Sequence, residues 1–148
     1  MLIKLLVMNV KPKYVDFFRG KRITVMGLGI LGRGVGVAKF LAECSAKLTI
    51  TDLKTKKELR PALRKLKKFK NIKYILGRHR LTDFRNKDII IKAAGVPLDS
   101  LYIKEARKNK IPVEMDASLF AKLSSAKIIG VTGTRGKSTT TQLIYEIL

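Results

Sequence analysis

The chain has 148 residues, 46% hydrophobic and 29% charged, which is enough for one domain with a true core. No apolar run reaches the roughly 18 residues of a membrane-spanning helix, a single cysteine (Cys44) excludes a disulfide framework and suits a reducing cytoplasm, and one histidine with one cysteine cannot build a transition-metal site. The net charge of +21 points toward polyanions, but the basic residues are spread over every segment and tryptophan is absent, so a specific nucleic-acid reading surface is not expected.

Met1 to Val10 is apolar, and Met8 is a second candidate start. Lys11 to Gly20 reads as a lead-in whose Tyr14, Val15, Phe17 and Phe18 can pack on a domain edge. Arg22 to Met26 then reads as a β-strand, followed at once by Gly27-Leu28-Gly29-Ile30-Leu31-Gly32. This is G-x-G-x-x-G between a strand and a helix. The first glycine permits the tight turn, the second lets an anion approach the backbone, and the third allows close helix–strand packing. The helix is expected to run to about Cys44, which is read as buried packing rather than a reactive thiol. Gly34 and Gly36 weaken its start by about 1 kcal/mol each relative to alanine.

Leu48 to Thr51 is the second strand, and Asp52 ends it. A carboxylate at that place commonly meets a ribose hydroxyl or a base edge, so a nucleotide ligand is expected; the plainer alternative is that Asp52 caps the next loop. Thr55 and Glu58 form a capping box that should open the second helix, with Pro61 bending it and Leu59, Ala62, Leu63, Leu66 and Phe69 on its buried stripe. From Lys54 to Lys70 this segment carries nine basic residues and one acid, read as a solvated face. Ile72 to Leu76 is the third strand. His79, in the basic loop after it, reads as a solvated histidine before an anion contact.

Asp88 to Lys92 is the fourth strand, and Ala93 to Pro97 turns tightly, with Gly95 leaving room for a ligand near the backbone. A helix over Ser100 to Lys108 and a fifth strand over Ile111 to Met115 follow, then a helix capped by Asp116 and ending at Lys122. Ser124-Ser125 leads into Ile128 to Val131, an apolar β-type run. The run enters Thr132-Gly133-Thr134-Arg135-Gly136-Lys137-Ser138-Thr139, and a helical pattern follows. Strand, small-residue loop, Gly-Lys-Ser and helix are the layout of a phosphate-binding loop, although the strict spacing G-x-x-x-x-G-K-[ST] would need glycine where Val131 stands. Backbone amides around Gly133 and Gly136 and the helix N-terminus would hold ATP phosphates. Lys137 would reach the β- and γ-phosphates, and Ser138 would ligate Mg²⁺. The stripe Leu143, Ile144, Ile147 and Leu148 needs a sheet to cover it, so a further domain is expected past Leu148.

The fold expected is α/β: a doubly wound, Rossmann-like, parallel five-stranded sheet over residues 20–125, after a lead-in over 1–19. Residues 126–148 then supply the first strand, phosphate loop and helix of an ATPase domain. Ligands belong at the carboxyl ends of the strands, where Gly29, Asp52, His79 and Gly95 fall.

The G-L-G-x-x-G turn, Thr51-Asp52, Gly77-x-His79, the turn at Gly95 and T-G-T-x-G-K-S-T together resemble the Mur ligases, most closely the branch that adds D-glutamate. The resemblance spans about residues 20 to 148. It departs from the family pattern at Ala93-Ala94, where Ser-Pro is usual, at Ser118, where an acid is usual, and at Arg135, where asparagine is usual. The arginine is also similar to the poly-γ-glutamate synthases. The resemblance implies an ATP- and Mg²⁺-dependent amide ligase of the cytoplasm, monomeric at full length, acting on UDP-N-acetylmuramoyl-L-alanine and D-glutamate through an acyl phosphate. Gly27, Leu28, Gly29, Ile30 and Gly32 would then face the UDP diphosphate, with Asp52, Leu53 and Lys54 near the uridine and Gly95 beside the substrate. ATP would take Thr132 to Thr139, with Lys137 and Ser138 catalytic. This span by itself is expected to bind the UDP-sugar without turnover. The rival readings are an NAD(H)-binding regulatory or oxidoreductase domain, another amide ligase of the superfamily, and a basic nucleic-acid-binding protein.

Overall fold

A computed structural model describes residues 12–29 and 32–148. The apolar start at Met1 to Val10 and the ligand position expected at Ile30 lie outside the described residues. Five strands form one parallel sheet: β1 (Arg22–Met26), β2 (Lys47–Asp52), β3 (Ile72–Leu76), β4 (Ile89–Lys92) and β5 (Val113–Glu114). Their order is β3-β2-β1-β4-β5, the half-Rossmann order that reverses direction at β1. Among the described residues six helices accompany them: α1 (Pro12–Phe18), α2 (Arg33–Glu43), α3 (Arg60–Leu66), α4 (Leu101–Lys108), α5 (Asp116–Leu123) and α6 (Lys137–Ile147).

The alternating strand pattern sorts side chains to two cores, since successive residues face opposite sides. Ile23, Val25, Leu48, Ile50, Ile89 and Ile91 pack against Val35, Ala38 and Leu41 of α2 and Ala62 and Leu66 of α3. On the other face Met26 and Ile90 meet Ile103 and Ala106 of α4, with Phe84 from a 3₁₀ turn over Leu81–Phe84. The lead-in is helical: in α1, Phe18 is fully buried, and Tyr14 and Phe18 set their rings edge-on to Phe40, 6.1 and 5.8 Å between centroids.

Three expectations change. The Thr55–Glu58 box does form, Thr55 N–H to Glu58 Oε2 at 2.7 Å and Glu58 N–H to Thr55 Oγ1 at 3.4 Å, yet α3 begins only at Arg60. Pro61 has no N–H, so the carbonyl of Lys57 takes a 3₁₀-type bond from Arg60 at 3.3 Å and regular helix starts after that turn. Helix α5 is entered from Met115, whose N–H donates to Ser118 Oγ at 2.8 Å, so Asp116 is the first helical residue rather than its cap. Finally, Ile128 to Val131 forms no strand. Among the described residues nothing pairs with its backbone, and Ile128 and Ile129 are more than half exposed. A β-type run becomes a strand only against a neighbour that takes its hydrogen bonds.

Candidate functional site

The glycine turn leaves β1 in a conformation that L side chains seldom adopt: φ is +90° at Gly27, +64° at Gly29 and +94° at Gly32. At Gly27 a Cβ would also lie 2.9 Å from the Ala93 Cβ, so turn and β4 touch there. Around Gly29 and Gly32 the described residues leave open space. The close-packing role assigned to Gly32 therefore belongs elsewhere. It falls to Gly34, where a Cβ would stand 2.2 Å from the Leu28 carbonyl oxygen and 2.8 Å from that of Gly27. Gly32 instead serves as the left-handed N-cap of α2, with no side chain capping the helix. The first-turn amides of α2 and the positive end of its dipole are what this turn offers an anion.

Asp52, 6% exposed, holds the turn in shape. Its Oδ2 accepts the N–H groups of Leu28 (2.8 Å) and Gly29 (2.9 Å), and its Oδ1 accepts that of Lys54 (2.8 Å). The plain loop-capping role is thus present, and it reaches back across the sheet to β1 as well.

Between the turn and β4 lies a cavity of about 360 Å³. Gly27, Leu28, Gly29, Gly32, Asp52 and Lys54 all line it, so the structure gathers six of the expected residues at one place. Leu53 and Gly95 do not line it; Leu53 is 66% exposed, and Ala93 and Ala94 form the wall next to Gly95. Residues that sequence reasoning passed over complete it: Arg33, Gly34, Val37, Lys92 and Asp116. Arg33 spans from α2 to α5, its Nε and Nη2 both on Asp116 Oδ2 at 3.1 and 2.8 Å. Lys92 is 5% exposed, and its ammonium donates to the carbonyls of Val96 (2.9 Å) and Ala93 (3.4 Å). It thereby fixes the turn after β4.

His79 is not the solvated loop residue expected. An antiparallel bridge between Arg78 and Asp52 folds the loop back on β2, and the half-buried imidazole sets its ring edge-on to Tyr102 (5.0 Å) and Phe84 (6.3 Å). Desolvation pushes its pKa below the usual histidine value, opposed by the charges of Asp52 and Asp83. Its Nδ1 and the Thr51 hydroxyl are buried and make no hydrogen bond among the described residues.

Thr132 to Thr139 are exposed, and none of them lines this cavity. Gly133 and Gly136 have φ of +149° and +75°, Gly136 is the N-cap of α6, and Lys137 Nζ donates to the Gly133 carbonyl at 2.7 Å. The loop thus curls around its own lysine at a helix N-terminus. This backbone suits a chain of phosphates. Ser138 adds a free-standing hydroxyl, and among the described residues no cluster of three His, Cys, Asp or Glu could hold a metal ion by itself.

Residues 21–114 match the family model described as Mur ligase MurD-like, N-terminal domain. The chain belongs to the MurD-like Mur ligases. It is 41% identical over 135 residues to a UDP-N-acetylmuramoylalanine–D-glutamate ligase of Borreliella burgdorferi (strain ZS7), covering 90% of this chain and 29% of that one. Ligases of the same name from Roseiflexus sp. (strain RS-1) and Treponema pallidum (strain Nichols) are 44% and 40% identical over 87% of this chain, and 28% and 25% of theirs. The MurD-like chain therefore spans between a quarter and three tenths of the length of these relatives. In fold it is similar to a pseudomurein peptide ligase type C from Methanothermus fervidus, with a TM-score of 0.52 and 24% identity over 87% of this chain and 26% of that one.

Proposed function

We propose that this MurD-like chain is the nucleotide-gripping part of an ATP-dependent amide ligase of peptidoglycan precursor synthesis, one that joins D-glutamate to UDP-N-acetylmuramoyl-L-alanine. The observation that carries the reading is the identity of about 40% to ligases of that name over 87–90% of this chain. In this reading the first-turn amides of α2, with the backbone at Leu28, Gly29 and Ile30, face the UDP diphosphate. Asp52 and Lys54 stand at the uridine, and Gly95 borders the sugar's path.

ATP and Mg²⁺ would be held by Thr132 to Thr139. When bound they supply the phosphoryl group that activates the substrate carboxylate as an acyl phosphate for attack by the amine of D-glutamate. On the protein's side, Lys137 releases the Gly133 carbonyl to meet phosphate oxygens and offsets their charge, and Ser138 presents its hydroxyl to the cation. A cytoplasmic monomer is the expected full-length form.

Thermal shift tests the nucleotide half directly. UDP-N-acetylmuramoyl-L-alanine at about 100 times its Kd adds about 2.7 kcal/mol to stability, which is readily seen as a rise in Tm. The expected result is a rise with the UDP-sugar and none with NAD(H). A rise with NAD(H) alone would replace the ligase reading by that of a dinucleotide-binding domain.

A further inference from the structure

The amino ends of the strands, at the pole opposite the glycine turn, carry a feature that the ligase reading does not use. Every strand has a cation within three residues of its start. In sheet order these are Lys73 in β3, Lys47 as the first residue of β2, Arg22 as the first of β1, Lys87 two residues before β4 and Lys110 three before β5. Neighbouring strands lie about 4.8 Å apart, so the row is about 19 Å long. Two clefts border it, of about 700 and 330 Å³, and Lys87 lines both. Arg19, Lys21 and Lys70 add further positive charge to their walls.

The acid in these walls, Asp88, is already engaged: it accepts the Arg22 N–H at 2.7 Å and lies 3.6 Å from the Arg22 guanidinium. The ammonium of Lys87 rests on a neutral acceptor, Thr49 Oγ1, at 2.9 Å. Burial, opposed by Asp83 and Asp88 and reinforced by the neighbouring charges of Lys73 and Arg22, draws its pKa below the usual lysine value. Like charges crowded this way repel one another, and an anion laid along the row relieves that repulsion.

We propose that this row is a docking surface for the sugar–phosphate backbone of single-stranded nucleic acid, bound without regard to base. A single-file row of mostly exposed cations suits a linear chain of phosphates better than a flat bilayer. The exposed aromatic at this pole, Phe17, is covered by the Lys21 ammonium at 3.4 Å from its ring centre, so it offers neither a membrane anchor nor a stacking platform. Six backbone bonds, about 6 Å in an extended strand, separate successive phosphates, so 19 Å faces roughly three of them. The glycine-turn cavity, at the other ends of the same strands, stays open.

The test is fluorescence anisotropy with a fluorescein-labelled oligouridine of about 12 nucleotides, titrated with the chain over a range of NaCl concentrations. The expected slope of log K against log salt is about −2, from roughly 0.7 per phosphate contacted. The triple variant Lys47→Glu, Lys73→Glu, Lys110→Glu should weaken binding at least tenfold. Lys57→Glu, Lys65→Glu, Lys67→Glu, with the same change of charge on the α3 segment, should weaken it less than threefold. Equal losses in the two triples would mean diffuse attraction and overturn the proposal. So would vesicles rich in phosphatidylglycerol binding where the oligouridine does not. Lysine acetylation footprinting of the unaltered chain answers the same question without relying on a variant that folds. Oligouridine should protect Lys47, Lys73 and Lys110 and leave Lys57, Lys65 and Lys67 reactive; the reverse pattern, or uniform protection, would refute the assignment.

Discussion

Replacing Gly34 by alanine should destabilise the chain, although alanine is the better helix former by about 1 kcal/mol. The added Cβ would sit 2.2 Å from the Leu28 carbonyl oxygen, and comfortable contact requires that oxygen to retreat by about 1 Å. The retreat cannot be local. The amides of Leu28 and Gly29 are held by Asp52 at 2.8 and 2.9 Å, and a shift of that size spoils at least one of these bonds to a charged acceptor, worth about 1.5–3 kcal/mol. Overpacking in a dense region adds about 1–3 kcal/mol. Against the 1 kcal/mol gained, the net loss is about 1.5–5 kcal/mol, or a fall of roughly 5–15 °C in Tm. Gly36 is the internal control. Two residues further along the same helix it meets open space, so Gly36→Ala should stabilise by about 0.5–1 kcal/mol. Urea unfolding of both variants decides the matter. If Gly34→Ala proves as stable as Gly36→Ala, the steric account of the turn is wrong.

Asp52→Ala should cost about 2–3 kcal/mol, because the amides of Leu28, Gly29 and Lys54 lose their acceptor together, and it should blunt the thermal response to the UDP-sugar; urea unfolding and thermal shift would each be refuting if unchanged. The pKa of His79 is lowered in the folded state, so below its ordinary value of 6.5 the unfolded chain binds the proton first. Stability should therefore decline as pH falls from about 6.5 toward 5, before the carboxylates with lowered pKa begin to titrate, and His79→Phe should flatten that part of a chemical-denaturation profile; an unchanged slope would assign the decline to another group.

The sheet was readable because each strand is a compact β-branched or aliphatic run closed by a turn signal, and because a strand–helix alternation leaves the parallel arrangement as the ready solution. Ile128 to Val131 has the same local character and forms no strand, since pairing depends on a neighbour that periodicity does not name. The same limit hid Gly34: its neighbour is a carbonyl six residues back, brought close only when the turn closes. Asp116 and Arg33 lie 83 positions apart, and their ion pair follows from where α5 lands. His79 looked solvated beside Gly77, Arg78 and Arg80; the bridge between Arg78 and Asp52 turned it inward. Of the six cavity residues foreseen, four have a local reason: three glycines with a left-handed backbone and a carboxylate at a strand's end; Leu28 and Lys54 came only with the family resemblance.

Strand β1 is hydrogen-bonded on both sides, to β2 and to β4, whereas β3 lies at one margin and β5 pairs over only two residues at the other. Amide hydrogens of such a central strand exchange only when the whole sheet opens, while the margins exchange through cheaper, partial fluctuations. The glycine turn grows directly from this slowest-opening backbone, so fraying at either margin leaves its alignment undisturbed.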